Sequence, residues 1–350
     1  MVNSHFIPQF ILRNFCADNK IQYYNKHTKS VDTRSTRSVF SEKGYYPDEL
    51  EKELCSKIEY QFSVVLNNKI INARSNITLN SEDMWILKKF LIITMLRVHD
   101  DNMDHNTWYR FLKKDGFIQN PDEFKTEFSG DFYDNIKKIL NCPDPITALK
   151  ITETETNMNL FSFVRDVINS YNVFVKTSKS KENFVMPDRG WANYCGIICM
   201  KKINGIMDMP IFPFDPFLQQ LIQMSSPQDY AIFPLSSSLA LVTVSPLIQV
   251  MLPSSPYNVI LPPEAPTLAK CMGFGSNKIF SPPQKQMLCG TKLYTYEIHQ
   301  LKPSDVVFLN SLLIENADSF IGFADYDKIQ QSFEQSGCII NQVNDTLSSL

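Results

Sequence analysis

The hydrophobic period of this chain changes near residue 175, which restricts it to folds that combine helices and sheet. Before that point apolar residues recur at the three- and four-residue intervals of amphipathic helices. After it, short β-branched and aromatic runs are punctuated by Pro, Ser and Gly, as strands and loops are. Most charged residues lie on the first side and most of the 20 prolines on the second. The expectation is an α+β architecture, with a helical N-terminal half packed on a mixed, mostly antiparallel sheet in the C-terminal half. Residues 1–175 form the helical part, residues 176–350 the sheet-rich part, and the two are expected to share one core. With 43% hydrophobic residues, 25 Phe and 14 Tyr, apolar area for that core is ample and a disordered chain is excluded.

Pro8 opens a short helical pattern, Phe10, Ile11, Leu12 and Phe15, which ends near Cys16. Ile21 to Tyr24 and Ser30 to Thr33, separated by turn residues, predict a hairpin. Pro47-Asp48-Glu49 begins a long helix to about residue 67, with Leu50, Leu54, Ile58, Phe62 and Leu66 as its apolar stripe. Asn80 to Asp83 caps a second helix to about His99. Further helical patterns cover about 105–114, 121–140 and 156–170. Strands are predicted at 171–175, 184–185, 195–199, 230–233 and 240–244, and Ser304-Asp305 caps a last core helix.

The charge balance is 34 Lys+Arg against 37 Asp+Glu, a net charge of -3, so no whole-molecule positive field is available to hold nucleic acid. No apolar run approaches the ~20 residues of a membrane-spanning helix, and the start lacks the features of a secretory signal. Cytoplasmic residence without membrane association is the expectation. Eight scattered cysteines read as reduced thiols.

The opening His5-Phe6-Ile7-Pro8-Gln9-Phe10-Ile11-Leu12-Arg13-Asn14-Phe15 resembles the signature of a bacterial and fungal family, the domain of unknown function 4238 family. Further segments resemble that family in order: Lys20 to Tyr24, Tyr45-Tyr46, Leu50-Glu51, Ile58-Glu59, Phe90 with Arg97, Phe184 to Asp188, Phe233 to Ser236, and Leu309-Asn310. Two departures stand near candidate chemistry. The family's Ser-Asp-Asn-Pro-like turn is Met186-Pro187-Asp188-Arg189-Gly190 here, and Thr94 replaces a frequent glutamine three residues before Arg97. The resemblance attaches no reaction; some family members look like anti-phage defence proteins, which implies a biological role only.

His5 and Gln9 flank a helix start, where backbone N–H groups and the helix dipole suit an anion such as phosphate, with Arg13 one turn along. The plainer reading is that both hydrogen-bond buried backbone. Glu51 and Glu59 are eight residues apart, a little over two helical turns, and are expected on one face. Their separation of about 12 Å along the axis is too long for one metal to bridge, so Asp188 and His5 are their candidate partners. A divalent metal ion therefore stays a candidate cofactor with unknown ligands. His99 to His105 is a weak metal motif, Cys195 and Cys199 lack further zinc ligands, and Gly273 to Lys278 lacks the form of a phosphate loop. Ser236-Ser237-Ser238 reads as a polar turn. Arg34, Arg37 and Lys43 near Tyr45 and Tyr46 pair positive charge with aromatic faces, as surfaces for single-stranded nucleic acid do.

These readings together predict a defence protein, a nuclease-like or nucleotide-phosphohydrolase-like hydrolase acting on a phosphate-bearing ligand (nucleotide, RNA or single-stranded nucleic acid). His5, Gln9, Glu51, Glu59 and Asp188 would be catalytic, and Arg13, Arg97, Tyr45 and Tyr46 would bind ligand. The alternative is a non-enzymatic sensor of a phage protein in which the polar signature residues are structural. Oligomeric state stays open.

Overall fold

Asn80 and Asp83 illustrate how local chemistry sets the helix boundaries. Asp83 accepts the backbone N–H of Asn80 at 2.9 Å and Asn80 accepts that of Asp83 at 2.8 Å, a reciprocal cap. The cap ends strand β5 (Asn76–Asn80) and starts helix α4 (Ser81–Arg97). The computed structural model describes residues 3–16, 18–44, 47–97, 132–153, 158–177, 182–194, 198–203, 206–210, 230–244, 258–260, 293–338, 340 and 342–343.

Along these residues, β1 (Asn3–His5) and α1 (Gln9–Leu12) lead through a 3-10 turn to β2 (Lys20–Asn25), β3 (Ser30–Ser35) and β4 (Ser41–Lys43). One continuous helical rod follows: α2 (Asp48–Leu54), a π turn (Cys55–Glu59), α3 (Tyr60–Val65) and a second π turn (Leu66–Ile71). After β5 and α4 come α5 (Phe132–Leu140), α6 (Pro145–Glu153), α7 (Met158–Asn169), β6 (Tyr171–Lys176), β7 (Met186–Pro187) and β8 (Ala192–Tyr194). The rest comprises β9 (Ile198–Ile203), β10 (Ile206–Pro210), β11 (Tyr230–Ser236), β12 (Leu239–Val244), β13 (Asn258–Ile260), β14 (Leu293–Gln300), α8 (Pro303–Asn316), β15 (Phe320–Phe323), α9 (Gln330–Gln335) and β16 (Gln342–Val343).

The architecture is α+β with mixed, mostly antiparallel sheets. A six-stranded sheet runs β5-β14-β6-β12-β11-β8 and is antiparallel except at β14–β6. A five-stranded sheet runs β16-β3-β2-β15-β7, parallel only at β16–β3. Strands from the first half thus enter both sheets: β5 edges one, and the predicted hairpin β2–β3 pairs with β15 and, through it, joins β7 in the other. Strands β11 and β12 are buried along their whole lengths, so the alternation expected of a half-exposed strand is absent.

Helix α4 is buried nearly all round and packs against α3, α5, α7 and β5. It keeps two lysines inside by saturating them. Lys88 Nζ donates to the carbonyl and hydroxyl of Ser170 at 2.7 and 2.8 Å, and Lys89 Nζ donates to the Cys142 carbonyl at 2.6 Å. Several expectations shift. Of the expected Ser304-Asp305 cap of α8, it is Asp305 that accepts the backbone N–H of Lys302. The strand expected at 184–185 begins two residues later, because Val185 N–H is taken by Asn310 Oδ1 and Phe184 N–H by the Ser237 carbonyl. Helix α6 was not foreseen. The patterns at 105–114 and 121–131, His99 to His105, residues 195–197, and Gly273 to Lys278 lie outside the described residues.

Candidate functional site

The N-terminal signature is clamped at both ends. His5 pairs with Ser41 in β1–β4, while Asn14 Nδ2 donates to the Leu235 carbonyl and Ser237 N–H to the Asn14 carbonyl. Between the clamps, Phe10 meets Phe62 and Phe90 at 6.0 Å, and those two rings stack at 4.1 Å. Helices α1, α3 and α4 are thereby fixed against each other, which sets His5 and Gln9 over the helical rod.

The rod presents its carboxylates through its π turn. At about 100° per residue, a regular α-helix would turn Glu59 about 80° away from Glu51. A π turn advances only about 82° per residue, and four such steps reduce the difference to roughly 10°. The cause is readable in the core side of the rod: Leu50, Leu54, Ile58, Phe62, Leu66 and Ile70 recur at every fourth residue and each is 0% exposed. Steps of four in a 3.6-residue helix drift by about 40° each, so a straight buried stripe of this spacing requires extra residues per turn. The two π turns supply them.

Five sequence-derived residues converge there: His5, Gln9, Glu51, Glu59 and Arg97. Gln9 Nε2 lies 2.9 Å from His5 Nε2, so the amide donates, the ring accepts, and the neutral ring's proton falls on Nδ1. Glu51 accepts the backbone N–H of His5. Arg97, 1% exposed at the end of α4, donates Nη2 to Glu59 Oε1, and the Cys55 thiol donates to Glu59 Oε2 at 3.6 Å. His5 Nδ1 and Glu51 Oε2 are buried atoms of the cluster that have no hydrogen-bond partner among the described residues. Thr94 Oγ1, one turn before Arg97, is another.

Burial governs the protonation of this cluster. It pushes the Glu51 carboxyl up, with Arg97 opposing and Glu59 adding to the rise. It pushes the His5 imidazole down, opposed by Glu59 and helped by Arg97. Desolvation, then Glu59 and Glu51, push the Cys55 thiol up to about 12, with Arg97 opposing. Glu51 and Cys55 line an open hollow of about 660 Å³ together with Asp48, Lys52, Ser56 and Tyr60, which is 69% exposed.

Asp188 belongs to a different structure. Its carboxylate accepts three backbone N–H groups, from Asp318 at 2.9 Å, Ser319 at 2.7 Å and Phe320 at 2.9 Å. It thereby closes the turn into β15, and its oxygens are committed to that task. Gly190, at φ +78, lets the same turn pass Ile7 and Thr94. Arg13 is exposed on the 3-10 turn, where its charge acts on Cys16. Helix α1 is four residues long, too short to build the anion site expected at its start. Tyr45 and Tyr46 lie outside the described residues, and Arg37 is exposed.

The family model described as "Protein of unknown function (DUF4238)" matches residues 3–327, nearly the whole chain. The chain belongs to the DUF4238 family. No curated protein and no solved structure matches it. For this DUF4238 chain, a metal centre at the cluster fits poorly. Among the described residues no group of three or more His, Cys, Asp or Glu is placed to hold an ion. Here His5 Nε2 is given to Gln9 and both oxygens of Glu59 to Arg97 and Cys55. No helix among the described residues is long and apolar enough to cross a membrane.

Proposed function

We propose that this DUF4238 protein is a hydrolase acting on a phosphate-bearing ligand, with Glu51 as the proton donor and acceptor, and that its setting is defence against phage. The observation that carries the reading is Glu51, whose buried Oε2 has no hydrogen-bond partner among the described residues and which lines a solvent-reachable hollow, with His5 Nδ1 a second such atom in the same cluster. Leaving such atoms unsatisfied costs about 1–3 kcal/mol each, a cost that a bound ligand's oxygens would remove. Glu51 is the suited acid because burial keeps its proton on into a higher pH range. In the reaction, its proton passes to the leaving oxygen as the P–O bond breaks. The attacking water gives its O–H to phosphorus and its other proton to the carboxylate. His5 Nδ1–H donates to a phosphoryl oxygen, Gln9 holds the ring, and Arg97 holds Glu59. Lys52 and the exposed Tyr60 at the hollow suit the charge and the flat face of a nucleotide or single strand.

Purified protein would be assayed for phosphate or nucleotide release from nucleotides and single-stranded RNA, alongside plaque formation on cells that carry it. Glu51→Gln should fold and lose both turnover and protection. Protection retained by Glu51→Gln, with no turnover by the parent, would favour the second reading: a binding protein for a phage component. The committed oxygens of Asp188 are the observation on that side, since one signature residue is spent on structure.

A further inference from the structure

A second cleft lies on the other side of Arg97, between the β2–β3 hairpin and the Asp188 turn. Its volume is about 360 Å³, toward the small end of ligand pockets, which run from about 300 to 1,000 Å³. Three guanidinium groups line it, those of Arg34, Arg97 and Arg189. Its two carboxylates are engaged: Asp318 with Arg189 Nε at 3.0 Å, and Asp188 with the three backbone N–H groups of its turn. Arg34 Cζ stands over the Tyr23 ring, 5.1 Å from its centroid, with Asp32 only loosely paired at 3.7 Å. With its side chain 53% exposed, Arg34 can offer its planar donor fork to a phosphate.

The other wall is aromatic and strained. Phe40 sits at φ +51, a conformation that bulky side chains rarely adopt. It is held there by the hydrogen bond from Phe6 N–H to its carbonyl at 3.0 Å. Its ring also fits where Gly322 has no side chain: a Cβ at 322 would stand 3.0 Å from Phe40 Cε2. Strain kept in this way places a ring at the cleft that an unstrained turn would direct elsewhere. Phe6 and Phe320 add further aromatic surface to the lining.

We infer that this cleft binds a mononucleotide, its phosphate on Arg34 and Arg189 and its base against Phe40 and Phe320. The size excludes a duplex, and the pairing of planar cations with flat apolar walls matches a ligand that is anionic at one end and aromatic at the other. The site is distinct from the Glu51 hollow and does not rest on the hydrolase reading. Because Arg97 lines the cleft while its Nη2 holds Glu59, an occupant's phosphate would also draw on the charge that steadies the cluster.

The test is calorimetric titration of the full chain with the four ribonucleoside monophosphates, the matching nucleosides and inorganic phosphate. Monophosphates should bind at least tenfold more tightly than inorganic phosphate or nucleosides. Arg34→Ala, at a side chain 53% exposed, should fold normally and weaken monophosphate binding about tenfold. Arg189→Lys provides a second reading with the positive charge retained and the planar fork removed, and it should also weaken binding. Phosphate release measured on the same samples separates the two readings: monophosphate binding that Arg34→Ala weakens, without turnover by the parent, supports this site while the hydrolase reading fails. Equal affinity for nucleoside and monophosphate, no preference over inorganic phosphate, or unchanged binding in Arg34→Ala would each overturn the proposal.

Discussion

Arg97 and Glu59 meet across two helices, the last residue of α4 donating Nη2 to the last residue of the π turn, with the arginine 1% exposed and the carboxylate 14%. A charge so deep is tolerable only when paired, and Glu59 reaches it because the π turn has rotated the rod's polar face. The pair therefore joins three features: the every-fourth-residue stripe that forces the π turn, the alignment of Glu51 with Glu59, and the cleft that Arg97 lines.

Removing one member should cost more than removing both. Arg97→Met alone leaves a buried carboxylate and should lower unfolding free energy by about 3–5 kcal/mol. Arg97→Met with Glu59→Leu should recover at least half of that loss. Denaturant unfolding of the two single variants and the double variant measures the coupling. Additive losses would show that the ion pair carries no energy of its own.

Asp188→Ala removes three hydrogen bonds to one buried carboxyl, each worth about 0.5–1.5 kcal/mol. The variant should lose several kcal/mol of stability, and its amide protection at residues 318–320 should fall before that of α4. Asp188→Asn keeps a single acceptor oxygen and should land between. An Asp188→Ala protein as stable as the parent, yet inactive, would return Asp188 to the catalytic set.

Asp188 also marks where reading the sequence stops. The Pro8 start, the β2–β3 hairpin and the Asn80–Asp83 cap follow from local chemistry and spacing, whereas the one face expected of Glu51 and Glu59 from their eight-residue spacing is reached only through the π turn. The partners of Asp188 are backbone groups about 130 residues away, and nothing in Met186 to Gly190 announces them. Helix α6 left a signal that could have been read, since Asp144 accepts Thr147 N–H at 2.8 Å in an N-cap pattern. The strict four-residue spacing of Leu50 to Ile70 was likewise visible, and its departure from 3.6 is the sign of the π turns. The strain at Phe40 has no sequence signature; it follows from the packing of Gly322 and Phe6 around it.

Glu51 should give stability a defined pH dependence. Its folded-state pKa lies above the unfolded value, so the native state binds its proton more tightly. That contribution is fully present below the unfolded carboxylate value and is lost as pH rises through the folded value. Glu51→Gln should flatten the decline of melting temperature with rising pH on the alkaline side of about 4.3, the ordinary glutamate value. An identical pH profile for parent and variant would place the titration elsewhere and weaken its assignment as the proton carrier.

Lys88 provides the opposite sign in a place remote from the cluster. It is fully buried against Ser170, and desolvation lowers its pKa to about 7, with Asp166 opposing. Its folded value lies below the unfolded one, so its stabilising contribution is present above the unfolded lysine value, about 10.4, and is lost as pH falls toward about 7. Between those limits the parent should gain up to about 1.4 kcal/mol of stability per pH unit from this one group. Lys88→Met, similar in length and apolar, removes the titration but leaves the Ser170 hydroxyl and carbonyl without this donor. The variant should therefore show a shallower slope from pH 7 to 10, whatever its absolute stability. Denaturant midpoints measured across that range decide the matter, and a slope unchanged by the substitution would mean that Lys88 keeps its proton inside the fold.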